Sequence, residues 1–221
     1  MLRFLTAGES HGQALVVIVE GLPAGLTIDP AVTAADLKRR QGGYGRGRRM
    51  AIESDTAEVL SGIRKGETLG GPVALLVRNR DWTNWQNTMY VGAEPPADAT
   101  GARKAPVTRP RPGHADLAGA LKYERDDMRD VLERASARET TTRVAAGGLA
   151  RALLAQAGVE IKSHVVRIGA AAVAGDAIAW DRLGEVEESP VRSVAERRSP
   201  VVQRAGQRGE SDARALIQIG E

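Results

Sequence analysis

The hydrophobic positions in the first third of the chain predict strands around one helix. The run ALVVIVEG from Ala14 is apolar at successive positions and rich in β-branched residues, which is typical of a strand buried on both faces. Asp29 and Pro30 form a favourable helix start, as N-cap and first helical residue, and a Gly-Gly pair marks the expected helix end. Residues 56–61 and 72–78 predict two more strands.

A long polar stretch follows these strands. It covers residues 79–113 and contains Trp82, Trp85 and Tyr90. A connection of that length inside a compact chain is uncommon, and it usually carries a function or acts as a lid. We therefore expect an irregular excursion from the regular fold in this part of the chain.

The pattern after this stretch predicts helices and then a strand. Residues 115–157 have a helical period in two or three segments. The last segment begins at Ser136, in an S-x-x-E capping box, and ends at Gly158. Residues 160–168, EIKSHVVRI, predict a strand. Because strands and helices interleave, the sequence indicates a mixed α and β protein.

Composition narrows the class of protein. The 221 residues suit one domain, or one and part of another. The aromatic residues, 3 Trp, 3 Tyr and 1 Phe, are too few for a base-stacking nucleic-acid surface. The absence of Cys excludes disulfides and thiolate metal sites, and no spacing of His, Asp and Glu suggests another metal site. With no apolar run near the roughly 20 residues that span a bilayer, and no secretory signal, we expect a cytoplasmic protein without a membrane partner.

The basic residues are unevenly distributed, although the net charge is only +3. The segment from Lys38 to Arg49, KRRQGGYGRGRR, has six basic side chains and no acidic one. Further arginines cluster around residues 103–111 and 134–143. Such islands suit a ligand with several anionic groups better than a long nucleic-acid track. The alternatives are a basic nucleic-acid-binding module at residues 38–49 and an ordinary solvated surface.

The segment Gly8–Gly12, GESHG, matches the G-x-S-x-G motif of serine hydrolases, with Ser10 as the nucleophile. That motif requires a strand before the serine, a helix after it and an oxyanion loop upstream. Only seven residues precede the motif here, and a strand is predicted to follow it. A glycine-bounded turn at the start of a strand is the better interpretation, and hydrolysis through Ser10 is kept as an alternative.

Three histidines are present, and their settings differ. His164 lies in an apolar predicted strand, which favours a structural role. His11 is followed by Gly12 in a predicted loop, and His114 follows two arginines at a loop-to-helix junction. A histidine on a loop beside arginine can act as a general acid, because it titrates near neutral pH. Either residue alone could equally be an ordinary surface histidine.

Several longer motifs occur in a specific order. They are GESHG, QGGYGRGRRMAIESD, GGPVALLVRNRDWTNW, and RPGHAD followed by RASARETTTRVAAGGLAR. Over about residues 1–193, this order and spacing resemble the chorismate synthase family. The resemblance implies an α+β fold, a layered sandwich of antiparallel sheets and helices, and a homotetramer. It also implies a lyase of the shikimate pathway of aromatic amino-acid biosynthesis, which eliminates phosphate from 5-enolpyruvylshikimate 3-phosphate in an anti-1,4 sense, using reduced FMN, to give chorismate.

The resemblance also implies roles for particular residues, which we expect to meet in one pocket. His11 would protonate the departing phosphate, and His114 would act as an acid near the reduced flavin. The anionic groups of the substrate would be held by Arg40, Arg46, Arg49, Arg111 and Arg138. FMN would contact Arg134, Ala135 and Ser136, and NADPH would bind at Arg40 and Arg46, since some members reduce their own flavin.

The resemblance ends abruptly after residue 193. The family continues with a second half that supplies further flavin contacts and a catalytic aspartate, for which this sequence has no counterpart. Residues 194–221 are instead rich in Arg, Gly and Gln without a sustained apolar face. We expect an incomplete fold with an atypical tail, frame-shifted or disordered, and a chain that is inactive by itself.

Overall fold

The computed structural model describes residues 1–42, 53–168, 171–172, 178–189, 191–193 and 213–220. The chain divides into two compact units. The first unit contains Met1–Leu37 and Ala51–Leu149, and the second contains Lys38–Met50 and Ala150–Glu221. All residues of the first unit that matter for the site below are described.

A four-stranded antiparallel sheet organises the first unit. Its order is β1-β2-β7-β4, with β1 at Arg3–Gly8, β2 at Ala14–Glu20, β7 at Val73–Arg78 and β4 at Ala57–Ser61. The three strands predicted in this region are confirmed within one residue at each end. Strand β1 was not predicted, and it places a strand directly before the GESHG motif. The strand β2 follows that motif, so the helix required by a nucleophile elbow is missing.

One face of this sheet forms the core. Leu15, Val17 and Val19 of β2 are buried, and so are the alternate apolar residues of β7. On the opposite face Ile18 is 41% exposed and Leu5 of β1 is 70% exposed. The prediction that β2 is buried on both faces is therefore wrong, because the described residues bury one side of this strand and leave Ile18 on the other side exposed.

Helices and a small sheet complete the first unit. The helices are α1 (Pro30–Gln41), α2 (Asp116–Tyr123), α3 (Arg129–Leu132) and α4 (Thr140–Gln156), and α1 and α4 continue into the second unit. The small antiparallel sheet has the order β3-β6-β5, with β3 at Ala24–Thr27, β6 at Glu67–Leu69 and β5 at Ile63–Arg64. Helix α1 begins as predicted, since Asp29 Oδ1 accepts a hydrogen bond from the Ala31 amide at 2.8 Å.

Helices α1 and α4 approach each other closely in the first unit. A Cβ atom at Gly148 of α4 would lie 2.3 Å from Thr33 Oγ1 of α1, so only glycine fits there. The stretch from residue 79 to 113 has one regular element, a 3₁₀ helix at Arg80–Asn84, which confirms the predicted irregular excursion. Another short 3₁₀ helix, Ala137–Glu139, leads into α4.

The second unit contains a three-stranded antiparallel sheet of order β10-β8-β9. Its strands are β8 (Glu160–Ile168), β9 (Ala171–Ala172) and β10 (Ala213–Gly220), and a 3₁₀ helix covers Trp180–Glu188. Strand β8 is confirmed, whereas β10 was not predicted and lies within the segment expected to be atypical. Residues 194–212 are outside the described residues, so for them that expectation stays a prediction.

His164 of β8 is 1% exposed, in line with the structural role predicted for it. All strand pairings in the described residues are antiparallel. Together with the helices, they confirm the α+β class with antiparallel sheets.

Candidate active site

The loop that carries His11 is fixed from two sides. Asn79, which is 4% exposed, donates its side-chain amide to the carbonyl oxygens of Glu9 (3.1 Å) and Gly12 (2.7 Å). On the other side the Ser10 amide donates to the Glu133 carbonyl at 2.9 Å. These bonds join segments about 70 and 120 residues apart, so the completed fold, and not local sequence, sets the loop.

Glu133 binds the His11 ring directly. His11 Nδ1 lies 2.8 Å from Oε2 and 3.0 Å from Oε1 of Glu133, and the His11 amide donates to Oε2 at 2.9 Å. The Glu133 side chain is 1% exposed and the His11 side chain 22% exposed. A carboxylate held in this way orients the ring.

The indole of Trp85 covers one face of the His11 ring. The ring centroids are 3.8 Å apart with an interplanar angle of 27°. Trp85 is itself held, because its Nε1 donates to Asp81 at 2.9 Å and Lys104 Nζ lies 4.5 Å from its ring centroid. The polar excursion thus brings a tryptophan onto the histidine.

Arg138 lies beneath the same loop. Its side chain is 3% exposed and forms ion pairs with Asp55 and with Glu53, the latter at 3.3 Å. Its Nε donates to Asn79 Oδ1 at 3.0 Å, and Asn79 in turn holds the His11 loop. The described partners of Arg138 are all buried side chains of this chain, and its predicted role as a substrate ligand stays a prediction.

Ser136 joins the start of the segment before α4 to the His11 loop. Its hydroxyl donates to Ser10 Oγ at 3.0 Å and accepts from the Arg138 amide at 3.3 Å, so Ser136 caps the 3₁₀ helix that leads into α4. The predicted capping box is not completed in the described residues, because the Glu139 carboxylate binds Thr6 and Arg143 instead of the Ser136 amide. Ser10 is 3% exposed, which does not suit the exposed nucleophile of a hydrolase. The Glu139 carboxylate binds Thr6 and Arg143, at 2.8 Å in both cases.

Burial acts to raise the pKa of Glu139. The hydrogen bonds from Arg143 and Thr6 act in the opposite direction and outweigh burial, so that this pKa lies below its usual range. Glu139 therefore remains an acceptor at neutral pH, and it ties the first helical turn to β1.

The segment of Arg134, Ala135 and Ser136 fits an anionic or carbonyl-bearing group such as a flavin. Arg134 donates through Nη2 to the carbonyl and hydroxyl of Thr6, at 3.0 and 2.7 Å. Its other terminal nitrogen, Nη1, is buried, has no hydrogen-bond acceptor among the described residues and lies 3.8 Å from the Glu139 carboxylate. A buried donor that lacks an acceptor is costly, and an acceptor supplied by a ligand would relieve that cost. Ala135 beside it is exposed.

His114 belongs to a second cluster, at the start of α2. Its Nδ1 lies 2.5 Å from Asp116 Oδ1, and Arg111 Nη2 lies 3.1 Å from each of its ring nitrogens. Arg111 donates to Asp116 through its amide at 3.0 Å, Nε at 2.9 Å and Nη2 at 3.1 Å. Asp116 is fully buried, whereas half of the Arg111 side chain is exposed.

Two pKa values in the His114 cluster are shifted by the pairing of Arg111 with Asp116. The hydrogen bond from Arg111 holds the pKa of Asp116 far below its usual range, against the effect of burial. The bond to Asp116 raises the pKa of Arg111, burial opposes this, and the charges of Asp116 and Glu133 add to the increase.

Of the remaining predicted arginines, the structure describes Arg40 but not Arg46 or Arg49. Arg40 is in the last turn of α1, within the second unit. Arg46 and Arg49 lie outside the described residues, as does most of the basic segment considered for nucleic acid. Their predicted meeting with His11 and His114 stays a prediction.

The sequence analysis missed several residues that shape the site. Nothing in the sequence connects a carboxylate to a histidine 122 residues away, as Glu133 is connected to His11. Asp116 could have been found, because an acid two residues after a loop histidine is a local signal. The other missed residues are Glu53, Asp55, Asn79 and Trp85.

Two searches of the described residues are negative. No helix among them combines the length and apolar character needed to cross a membrane. Within the same part of the chain, no group of three or more His, Asp or Glu side chains could hold a metal ion.

Comparisons with known proteins agree on one family. The profile of the family described as chorismate synthase matches residues 2–215, beyond residue 193, where the resemblance was expected to end. The chorismate synthase of Desulforudis audaxviator is 66% identical over 76% of this chain and 42% of its own length. That of Moorella thermoacetica is 58% identical over 86% of this chain and 48% of its own length.

A solved structure gives the same result. A crystal structure of a chorismate synthase is 38% identical, with a TM-score of 0.63 over 87% of this chain and 48% of that one. The chain spans about half the length of the curated relatives it matches. Since the profile match covers nearly the whole sequence and the identities are high, the chain belongs to the chorismate synthase family.

Proposed function

We propose that this chain supplies substrate- and flavin-binding parts of a chorismate synthase, which forms chorismate and phosphate from 5-enolpyruvylshikimate 3-phosphate. The main support is that each loop histidine is paired with a buried carboxylate, His11 with Glu133 and His114 with Asp116. A histidine oriented in this way holds a proton at a defined nitrogen. Elimination of phosphate requires such a proton, because protonation improves phosphate as a leaving group.

The substrate has one phosphate and two carboxylates, which arginine binds bidentately. Arg111 stays bound to Asp116 and is half exposed, so it can receive an anion without losing its position. Arg138 is included by family resemblance, and its bond to Asn79 gives it a second task, that of holding the His11 loop. The proposed set of substrate ligands is Arg40, Arg46, Arg49, Arg111 and Arg138.

In this proposal His11 gives its proton to the departing phosphate, while His114 keeps a proton near the flavin. Trp85 keeps water from one face of the His11 ring, which strengthens the interaction of that ring with charged groups. Arg134, Ala135 and Ser136 would hold FMN. Reduced FMN, when bound, supplies transient electron density for the elimination.

The wider setting is also proposed from the family. NADPH would bind at Arg40 and Arg46 in a form that reduces its own flavin, and the enzyme would act in the cytoplasm. A homotetramer is supported by the exposed apolar face around Leu5 and Ile18, which is a surface that another subunit can cover. Light scattering tests this assembly, and a well-behaved monomer would contradict it.

The decisive experiment is an assay of chorismate formation with chemically reduced FMN under anaerobic conditions. The 221-residue chain is compared with the same chain extended by the part of a relative that it does not match. We expect turnover by the extended chain and little or none by the chain alone, with weak FMN binding by the latter. Absence of turnover in the extended chain, with its fold intact, would refute the proposed function.

A control separates this proposal from hydrolysis through Ser10. A fluorophosphonate probe labels an activated serine covalently. We expect no labelling, because Ser10 is buried and bound to Ser136. Labelling that disappears in Ser10→Ala would favour the hydrolase alternative.

A further inference from the structure

The bond between Glu133 and His11 determines which ring nitrogen bears the proton. An ionised carboxylate can only accept hydrogen bonds. Both Glu133 oxygens lie within 3.0 Å of His11 Nδ1, and the His11 amide donates to one of them. Nδ1 must therefore carry hydrogen, and in the neutral ring Nε2 is the basic nitrogen.

The ring has little freedom to turn away from this arrangement. Its Nδ1 edge is bound to Glu133, and one of its faces is stacked on Trp85 at 3.8 Å. The amide of Ser10 donates to the Glu133 carbonyl, so the backbones on both sides of the pair are also joined. Rotation about the side-chain bonds of His11 would break the stack and the hydrogen bonds together.

We propose that Glu133 is the positioning residue of His11, fixing the Nδ1–H tautomer so that Nε2 is the nitrogen that exchanges the catalytic proton. The catalytic role of that proton rests on the proposed function, whereas the tautomer of His11 does not depend on it. The role of Glu133 is indirect, because it acts on the reaction only through the ring of His11.

A purely structural role for Glu133 is the competing explanation. Its Oε1 lies 3.6 Å from Arg129 Nη1, and this pair could serve only to stabilise the buried region. Such a role predicts a loss of stability on substitution, without any preference between the two tautomers of His11. The test must therefore report the protonation of each ring nitrogen separately.

The experiment uses the full 221-residue chain labelled with ¹⁵N-histidine. Long-range ¹H–¹⁵N correlation spectra distinguish protonated from unprotonated ring nitrogens, and the three histidines are assigned by single His→Gln variants. At a pH where His11 is neutral, we expect its Nδ1 to be protonated and its Nε2 unprotonated. Free histidine favours the opposite tautomer, so this result is specific. A protonated Nε2 with an unprotonated Nδ1 in the unsubstituted protein would overturn the proposal.

Glu133→Gln should shift His11 towards the Nε2–H tautomer, because the amide can donate to Nδ1 as well as accept from it. Glu139→Gln is the matched control: it removes a carboxylate six residues away that binds Thr6 and Arg143. It should leave the His11 signals unchanged. A folded Glu133→Gln variant in which the proportion of the Nδ1–H tautomer does not fall would also overturn the proposal, because a neutral amide binds Nδ1–H less strongly than a carboxylate does.

A second variant covers the case in which Glu133→Gln does not fold. Glu133→Asp keeps the charge and should retain the Nδ1–H tautomer, and the unsubstituted protein is decisive without any variant. In the chorismate assay of the extended chain, Glu133→Gln should lower turnover by about 10²-fold, within the range of general acid catalysis, and Glu133→Asp should recover part of it. If the tautomer is found but no chorismate forms, the proposed function fails while the positioning of His11 by Glu133 stands.

Discussion

The two histidines of the candidate site obtain their carboxylates in different ways. His114 is bound to Asp116, two residues further along the chain, and Arg111 binds the same carboxylate from three residues before the histidine. His11 is bound to Glu133, which is 122 residues away. The first cluster is thus built within one loop-to-helix junction, whereas the second exists only when β1, the segment after α3 and the polar excursion have come together.

The two clusters also differ in how deeply their arginines are buried. The cation of the His114 cluster, Arg111, has half of its side chain exposed, whereas Arg138 beneath the His11 loop is 3% exposed. Solvent weakens an exposed ion pair, but a buried charge that loses its partner is strongly destabilising. The His11 cluster should therefore depend on the global fold and support it, while the His114 cluster should tolerate change.

The largest effect is expected from Arg138→Met. This substitution leaves Asp55 and Glu53 without the cation they share and removes the donor to Asn79. We expect the free energy of unfolding to fall by about 3–5 kcal/mol, measured by urea denaturation. Arg111→Met, the matched substitution in the other cluster, should cost less, about 1–3 kcal/mol, because the buried Asp116 that loses this cation keeps its contact with His114.

Equal losses in the two variants would remove the proposed distinction between the clusters. A further control tests the cause of the larger loss. Adding Asp55→Asn and Glu53→Gln to Arg138→Met should restore part of the stability, because the two side chains that lose this cation are then neutral. No restoration would mean that the loss comes from packing.

The same contrast explains how much could be predicted from the sequence. Helix α1, strand β8 and the start of α4 follow from local signals, namely the Asp29 cap, the apolar run of residues 160–168 and the Ser136 cap. Strand β1 was missed because it lies at a sheet edge and is mostly exposed, so its pattern lacks a buried face. Strand β10 was missed because its only described strand partner is β8, about 50 residues earlier in the chain.

The residues of the candidate site also divide into those predicted from local motifs and those that were not predicted. The histidines and arginines were found from motifs, but Glu133, Asn79 and Trp85 were not. Each of these residues acts on His11 or its loop across a long sequence separation. Hydrophobic period and capping signals describe neighbours along the chain, and they contain no information about which distant side chains will meet.

An intermediate effect is expected from Asp116→Asn, and it should depend on pH. Because Arg111 holds the folded-state pKa of Asp116 below its usual range, the ionised carboxylate stabilises the fold at neutral pH. We expect a loss of about 1–3 kcal/mol at pH 7 for the variant. The stabilisation is fully present above the unfolded pKa, near 3.9, and is lost as the pH falls from there towards the lower folded pKa.

The difference in unfolding free energy between the protein and Asp116→Asn should therefore shrink below about pH 4. Urea denaturation at several pH values measures it. Asp130→Asn is the control, since its side chain is about half exposed in a long ion pair with Arg125. A difference that stays constant down to pH 2 would contradict ionic stabilisation by Asp116.

The smallest effect is expected at the stack of Trp85 on the His11 ring. The described part of the His114 cluster has no comparable ring contact. Trp85→Leu keeps an apolar side chain at this position but removes the stacking partner and the ring over which Lys104 lies. Aromatic pairs of this kind contribute about 0.5–1.5 kcal/mol beyond the area they bury, and we expect a loss of that size in urea denaturation. Trp82→Leu is the matched control and should cost less, since Trp82 is also partly buried and lies in the 3₁₀ helix that ends just before Trp85. In combination with His11→Ala, the Trp85→Leu effect should shrink, because the partner ring is already missing. Fully additive losses would show that Trp85 stabilises the excursion independently of His11, and the contrast between the two histidine clusters would then rest on Glu133 and Arg138 alone.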